Sequence, residues 1–338
     1  MMKKTISAAL FISLLSVGCK VNQKNEQQAA ELKIGFYNVE NLFDTINDPQ
    51  INDEDFTPEG KLKWNSAHYT EKLDRLAQVF SEMAAGGIDA AGLCEVENKQ
   101  VVLDLVHQQR LSGKDLQIVH FDSPDERGID VAFIYDAKKM SVIRSRRFEL
   151  ELPENDRTRD ILYVVAKAEG EELHFFVNHW PSRSGGQAES EPSRMKAAAL
   201  LRSKIDSIQS VEKEAKILCM GDFNDYPMDK SIAGVLGAGG SDSFLFDYML
   251  DDQQRNEGSH WYKGEWGPLD QFIATKSVVT GSKGWTASPE QASIVRLDYL
   301  FFKDNEGKLR PSRSYAGDSY KGGYSDHLPI LIQLKKVK

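Results

Sequence analysis

Four apolar residues, Ile217-Leu-Cys-Met220, are cut off by Gly221 and followed at once by Asp222-Phe-Asn224. A run that short and that apolar reads as a buried strand. Residues two apart in an extended segment point the same way, so a carboxylate and an amide leave the strand end side by side. Asp and Asn are also ordinary turn residues, and one such end decides little. The constraint comes from recurrence. Asn38-Val-Glu-Asn41, Cys94-Glu-Val-Glu-Asn98, Asn178-His-Trp-Pro-Ser-Arg183, Leu269-Asp-Gln271 and Tyr324-Ser-Asp-His-Leu-Pro329 share that character, each at or near the end of an apolar run. Together they offer carboxylates, amides and two histidines, and no Lys or Cys nucleophile. That inventory suits a hard, oxygen-seeking cation and a phosphate.

The chain has 338 residues, enough for one large or two modest domains, with 41% hydrophobic and 28% charged residues, as in soluble globular proteins. Its net charge of -9 argues against a long non-specific grip on nucleic acid, which needs a basic stripe. It leaves room for a nuclease with a short local contact. Cys19, Cys94 and Cys219 have neither zinc-site nor disulfide-framework spacing. Cys94 and Cys219 lie in apolar runs and read as buried free thiols.

Residues 1–18 read as an export signal: Lys3 and Lys4, then an apolar core from Ala8 to Val17 that is too short to span a bilayer. Gly18-Cys19 resembles a lipoprotein cleavage site, with Ser16 where such sites usually carry Leu; an ordinary cleaved signal is the alternative. Residues 19–30 are a polar tether, and residues 31–338 are expected to form the folded domain. Leu32–Tyr37 is the first strand. Asn47–Asn65 is a long loop beside the site. Tyr69–Ala84, Val101–Arg110 and Pro192–Ile208 have helical spacing. Ile88–Cys94, Gln117–Val119, Ile129–Tyr135, Ser141–Phe148, Ile161–Ala168 and His174–Asn178 are strands. Leu269–Ala274, Arg296–Phe302 and Ile330–Leu334 close the set, and Tyr315–Tyr324 is a surface loop. Strands outnumber long helices in mixed order, which predicts one α+β domain of two packed sheets with helices outside.

These clusters, in this order, resemble the endonuclease/exonuclease/phosphatase superfamily. Gly221-Asp-Phe-Asn224 and Ser325-Asp-His327 are the most specific pieces. Asn178-His-Trp-Pro-Ser-Arg183 and Gly322-Gly-Tyr-Ser-Asp-His327 are similar to a bacterial, exported branch. The resemblance implies a DNase I-like, four-layer α/β/β/α sandwich of two mixed sheets flanked by helices, and a divalent-metal phosphohydrolase. It implies Glu95 as metal ligand, with Asn38 and Asp326 beside it; Mg2+ as cofactor, or Mn2+ or Ca2+; and Asp222 as the base for the attacking water. Asn224 and Asn38 would hold phosphate oxygens. His327 would meet the scissile phosphate, with an Asp fixing its tautomer. Asp270 is preferred for that task over Asp298, because it follows the Tyr-rich segment Trp261-Tyr-Lys-Gly-Glu-Trp266. His179 resembles the family's second histidine, and Asn178, Arg183 and Arg127 are candidates for substrate phosphate. Arg127 reads equally well as a surface ion-pair residue. Glu40 stays open, and Glu97 reads as an exposed acid. His68, His107, His120, His174 and His260 stand outside the clusters and read as structural or exposed.

The function these readings lead to is an exported, metal-dependent phosphohydrolase, first an endonuclease or phosphodiesterase. A phosphatase or lipid-headgroup phosphodiesterase with the same site, and an inactive envelope binding protein, are the alternatives. The expected partners are a phosphate-ester substrate and, through Cys19, a membrane. A monomer is expected.

Overall fold

The computed structural model describes Met1, residues 29–153 and residues 156–338. The export signal, Cys19 and most of the tether lie outside the described residues. The strands are, in order, β1 (Glu31–Leu42), β2 (Ala90–Val96), β3 (Leu116–His120), β4 (Asp130–Asp136), β5 (Ser141–Phe148), β6 (Ile161–Ala168), β7 (Glu171–His179), β8 (Ile217–Asp222), β9 (Ala238–Gly239), β10 (Leu245–Asp247), β11 (His260–Tyr262), β12 (Glu265–Gly267), β13 (Asp270–Thr275), β14 (Gly284–Thr286), β15 (Ala292–Ile294), β16 (Phe301–Lys303), β17 (Leu309–Pro311), β18 (Tyr315–Ala316), β19 (Ser319–Tyr320) and β20 (Ile330–Val337). The α-helices are α1 (Ser66–Glu82), α2 (Lys99–Val106), α3 (Gln187–Val211), α4 (Leu250–Gln254) and α5 (Lys276–Val279).

Two seven-stranded mixed sheets form. One runs β14-β20-β1-β2-β4-β3, with β15 also on β20; the other runs β5-β6-β7-β8-β13-β10-β9. Their inner faces supply one core, in which Phe36, Cys94, Phe133 and Ile330 of the first sheet meet Val164, Val177, Met220 and Phe272 of the second. At Gly92 the sheets approach so closely that a Cβ would lie 2.7 Å from Met220 Sδ. The outer face of the first sheet is covered by α1 and α2, through Leu76, Phe80, Val102 and Leu105. The outer face of the second is covered by α3, through Ala197, Leu201 and Ile205. The result is the four-layer α/β/β/α sandwich.

The helices form where apolar spacing and caps coincide. Asn65 caps α1 by accepting from the backbone N–H of Ala67 and His68, and Asn98 caps α2 by accepting from Gln100 and Val101. The segment expected as a strand at Arg296–Phe302 instead makes a 3-10 turn at Asp298–Leu300 before the short β16. The segment read as a surface loop at Tyr315–Tyr324 contains the β18–β19 hairpin. Cys94 and Cys219 are buried free thiols, as expected.

Candidate active site

The strands of both sheets deliver their polar ends to one edge of the sandwich. On the second sheet the register sets His179 of β7 and Asp270 of β13 on either side of Asp222 of β8. Three chemically active side chains therefore stand abreast on neighbouring strands. Gly221 makes this row possible, because a Cβ there would sit 2.4 Å from the carbonyl oxygen of Asn178. On the first sheet Asn38 pairs with Cys94, and the register then shifts on both β1 and β2. The irregularity turns Glu95 toward Asn38. Glu40, Asn41, Glu95 and Asn224 all adopt positive φ, between 50° and 64°. For residues other than glycine this costs about 1–2 kcal/mol each, and such strain collects at functional sites.

Asp222 is the hub. Its Oδ2 accepts from Asn38 Nδ2 at 3.1 Å, and its Oδ1 accepts from the backbone N–H of Asn224 at 2.9 Å. The same Oδ2 lies 3.8 Å from His179 Nε2 and 3.8 Å from His327 Nε2. Asn38 Nδ2 also donates to Glu95 Oε1 at 3.2 Å, while Asn41 N–H reaches Glu95 Oε2 at 3.0 Å. His327 Nδ1 is 2.6 Å from Asp270 Oδ2, and the Ser259 hydroxyl donates to that same oxygen. Asp298 is exposed on its 3-10 turn, so Asp270 is the partner of His327.

Burial and neighbouring charge set the protonation states. Burial, with Asp270 and Glu95 adding repulsion, pushes Asp222 up to about 6. Burial lowers the imidazole of His327, but Asp270 and Asp222 outweigh it and hold His327 well above its ordinary value. His179 goes the other way: burial, then the charges of Arg159 and Arg127, hold it well below, as a neutral ring.

A second cluster adjoins this hub. Arg313 Nε and Nη2 each lie 2.9 Å from Glu40 Oε1, and Nη2 lies 2.9 Å from Asp326 Oδ2. Burial, then repulsion from Asp326, pushes Glu40 up to about 7. Behind it the buried amine of Lys72 donates to Ser314 Oγ and the Tyr324 carbonyl, at 2.6 Å each. The donor set fits a hard divalent cation. Glu95 is a partly exposed carboxylate that, among the described residues, forms no ion pair with Lys or Arg; it repels the nearby Asp222, and oxygen donors of this type are what Mg2+, Mn2+ and Ca2+ take.

Most of the residues singled out in the sequence meet here: Asn38, Glu95, His179, Asp222, Asn224, Asp270, Asp326 and His327. Two phosphate candidates do not. Asn178 is wholly buried, with its amide spent on the Met220 carbonyl and its oxygen on Trp180 Nε1, so it cannot reach substrate. The guanidinium of Arg183 lies at the edge of a cleft but is held by the Asn224 carbonyl, Asp225 and Asp229, so its charge is spent on the loop. Arg127 is exposed and close enough to lower His179. Glu97 is buried rather than exposed: it accepts the Asp44 N–H at 2.6 Å, and burial pushes it up to about 8. His260 belongs to the site, with its ring centroid 4.6 Å from that of His327 and its strand bridged to it. Arg159, Lys72 and Arg313 have no motif; a lysine one place before the inward-facing Leu73 was the available signal.

A family model described as the endonuclease/exonuclease/phosphatase family matches residues 33–336. No curated protein matches the sequence. Among solved structures, an endonuclease/exonuclease/phosphatase family protein from Bacteroides thetaiotaomicron is 15% identical, with a TM-score of 0.58 over 92% of this chain and 100% of that one. A mannosyl-6-phosphatase from the same organism is 15% identical, with a TM-score of 0.57 over 90% of this chain and 99% of that one. TDP2 of D. rerio, complexed with a single-strand DNA product, is 16% identical, with a TM-score of 0.53 over 90% and 99%. These likenesses show a shared fold.

Proposed function

The chain belongs to the endonuclease/exonuclease/phosphatase family, and from that premise we propose that it hydrolyses phosphate esters with a divalent cation and a water activated by Asp222. The row His179, Asp222, Asp270, with His327 paired to Asp270 at 2.6 Å, carries this reading. The 3.8 Å gaps from Asp222 Oδ2 to both histidine Nε2 atoms are too long for hydrogen bonds and are of the length that an attacking water bridges.

Each residue then has a task. Asp222, at about 6, is ionised at neutral pH yet basic enough to take a proton from the attacking water. His327, protonated, donates a hydrogen bond from Nδ1–H to Asp270 and presents Nε2–H to a phosphoryl oxygen. His179 adds a neutral donor. Asn224 spends one amide proton on the Trp180 carbonyl and keeps the other for the substrate. Glu95, hydrogen-bonded by Asn38, would hold the cation together with Asp326, which Arg313 now pairs; when bound, the cation draws charge from the phosphoryl and leaving oxygens. Arg127 offers a guanidinium at the rim.

The net charge of -9 favours a compact ester over long duplex DNA. The DNA product on TDP2 and the mannosyl-6-phosphatase support both a diesterase and a monoesterase reading of this scaffold. Export, and a lipid on Cys19, are supported by residues 1–19 of the sequence; a mass measurement on the membrane fraction would reveal the acyl groups, and a soluble unmodified protein would defeat the anchor.

The test is hydrolysis with Mg2+ and with chelator, on plasmid and single-stranded DNA, RNA, a generic diester, phosphomonoesters and a phospholipid. Chelator-sensitive release of product from any of them supports the proposal, and the substrate cut fastest names the class. No turnover with Mg2+, Mn2+ or Ca2+ would leave a binding protein.

A further inference from the structure

A half-open cleft of about 580 Å³ leads away from the catalytic groups, lined by Asn224 and His260 at its inner end and by Tyr226, Tyr262, Lys263 and Glu265 further out. One wall is the β11–β12 hairpin. Its two-residue turn, Lys263-Gly264, has positive φ at both positions, 48° and 103°, which suits the twist of a tight hairpin. Alternation along the strands sorts its side chains. Trp261 and Trp266 pair across it, Trp261 under Arg310 at 3.5 Å and Trp266 against Arg296 and Phe301, so this face is packed on the protein. His260 and Tyr262 occupy the other face, toward the cleft.

The base of the hairpin is pinned to the catalytic pair. His260 bridges to His327, Leu328 N–H donates to the Ser259 carbonyl at 2.7 Å, and the Ser259 hydroxyl donates to Asp270. Three rings therefore step outward in a row: His327, His260 at 4.6 Å between centroids, and Tyr262 a further 6.3 Å on and 23° from parallel. Tyr262 is 60% exposed. Packing of the hairpin rests on the two tryptophans and does not explain an exposed aromatic ring on a rigid support.

The Arg183 guanidinium at the edge of this cleft is neutralised by Asp225 and Asp229, and the Lys263 ammonium lies over the Tyr262 ring, 5.1 Å from its centroid. A wall of aromatic surface takes a flat or ring-shaped group, and a cleft of this volume holds one such group with its attachments.

We propose that this cleft is a subsite for one ring-bearing group of the substrate, a nucleoside or a pyranose, whose ring lies on Tyr262 while its phosphate sits at Asp222. The proposal rests on the phosphohydrolase reading and narrows it to esters of ring-bearing alcohols.

The test compares thymidine 5′-phosphate, glucose 6-phosphate and glycerol 3-phosphate, each as monoester and as methyl diester, with wild type, Tyr262→Ala and Tyr262→Phe. Wild type should favour a ring ester over the glycerol ester in kcat/KM. Tyr262→Ala should cut that preference by about 5- to 100-fold, the range for stacking on one aromatic ring, mostly through KM; Tyr262→Phe should keep it. Preference for thymidine or for glucose identifies the ring. Equal use of the glycerol ester, or a ring preference that survives in Tyr262→Ala, overturns the subsite. Calorimetric binding of the same three monoesters keeps the two readings apart. Ring binding that depends on Tyr262 without turnover overturns the hydrolase reading alone, and neither binding nor turnover overturns both. Circular dichroism checks that the variants fold.

Discussion

Replacing Asp270 with asparagine removes one charge from the centre of the site and almost no volume. In the native protein Asp270 Oδ2 receives both His327 Nδ1 and the Ser259 hydroxyl. An asparagine oxygen can accept the same two protons, so the ring keeps its place and its tautomer. What disappears is the buried carboxylate that holds His327 charged. The imidazole then falls toward the neutral form that burial favours, and Nε2 no longer offers a proton to the phosphoryl oxygen. Losing one preorganised donor to developing charge costs about 2.7–4 kcal/mol, so kcat should fall by roughly 100- to 1,000-fold. The assay is turnover of the best substrate from the ester panel at saturating Mg2+, with the His327 titration followed by NMR. The stability data carry their own sign. A histidine whose folded pKa is raised contributes stability that is full below about 6.5, its unfolded value, and lost as pH rises through the folded value. The stability gap between wild type and Asp270→Asn should therefore be widest at acidic pH and narrow as pH rises. Asp298→Asn, on an exposed turn, is the control and should change neither turnover nor stability by more than about 0.5 kcal/mol. Turnover within threefold of wild type in Asp270→Asn, or a His327 titration that does not move, refutes the assignment.

Asp222→Ala and His327→Ala should each lower turnover at least about 100-fold with an unchanged circular dichroism spectrum; near-native rates in both would remove the mechanism. Gly221→Ala places a methyl group 2.4 Å from the Asn178 carbonyl, so β7 and β8 must part, with a loss of about 1–3 kcal/mol in chemical denaturation and a larger proportional loss of activity. Arg313→Ala uncovers Glu40 and Asp326, and calorimetric Mn2+ titration should show added metal binding relative to wild type; unchanged stoichiometry and affinity would show that Arg313 does not compete with cations there. Glu97→Gln keeps an acceptor for the Asp44 N–H without a buried charge. Because the folded pKa of Glu97 is raised to about 8, the wild-type carboxyl costs stability progressively as pH rises from about 4.5 to 8. The variant should gain melting temperature over wild type at pH 8 and lose that gain at pH 4.

The layers and the catalytic row were legible because strand ends are local. An apolar run that stops at Gly221 states both where a strand ends and which residues it delivers, and α1 and α2 announce themselves by apolar spacing and asparagine caps. The segment Trp261–Trp266 marks Asp270 over Asp298 by resemblance, and the structure gives the reason: it is the hairpin that brings Ser259 and His260 to Asp270 and His327. What sequence could not supply was the assignment of long-range partners. Arg183 looked free until Asp225 and Asp229 came beside it, and Asn178 looked like a ligand until Trp180 and Met220 closed on its amide. Glu97 looked solvated because nothing local shows that the turn at Asp44 folds over it. Arg313 meets Glu40 across 273 residues of chain, a pairing that no spacing rule encodes.

The groups proposed to react are divided between two sheets. His179, Asp222 and Asp270 belong to one, Asn38 and Glu95 to the other; they meet where the Asn38 amide donates to Asp222 and where His179 Nε2 comes 3.9 Å from Glu95 Oε1. Catalytic geometry is thus a gauge of how the two halves of the sandwich are seated. Loosening the interleaved core, where Met220 lies against Gly92, would slide one set of ligands past the other while every strand stayed hydrogen-bonded. On heating or under mild denaturant, activity should fade before secondary structure does, and a ligand that spans both sheets should tighten the whole fold.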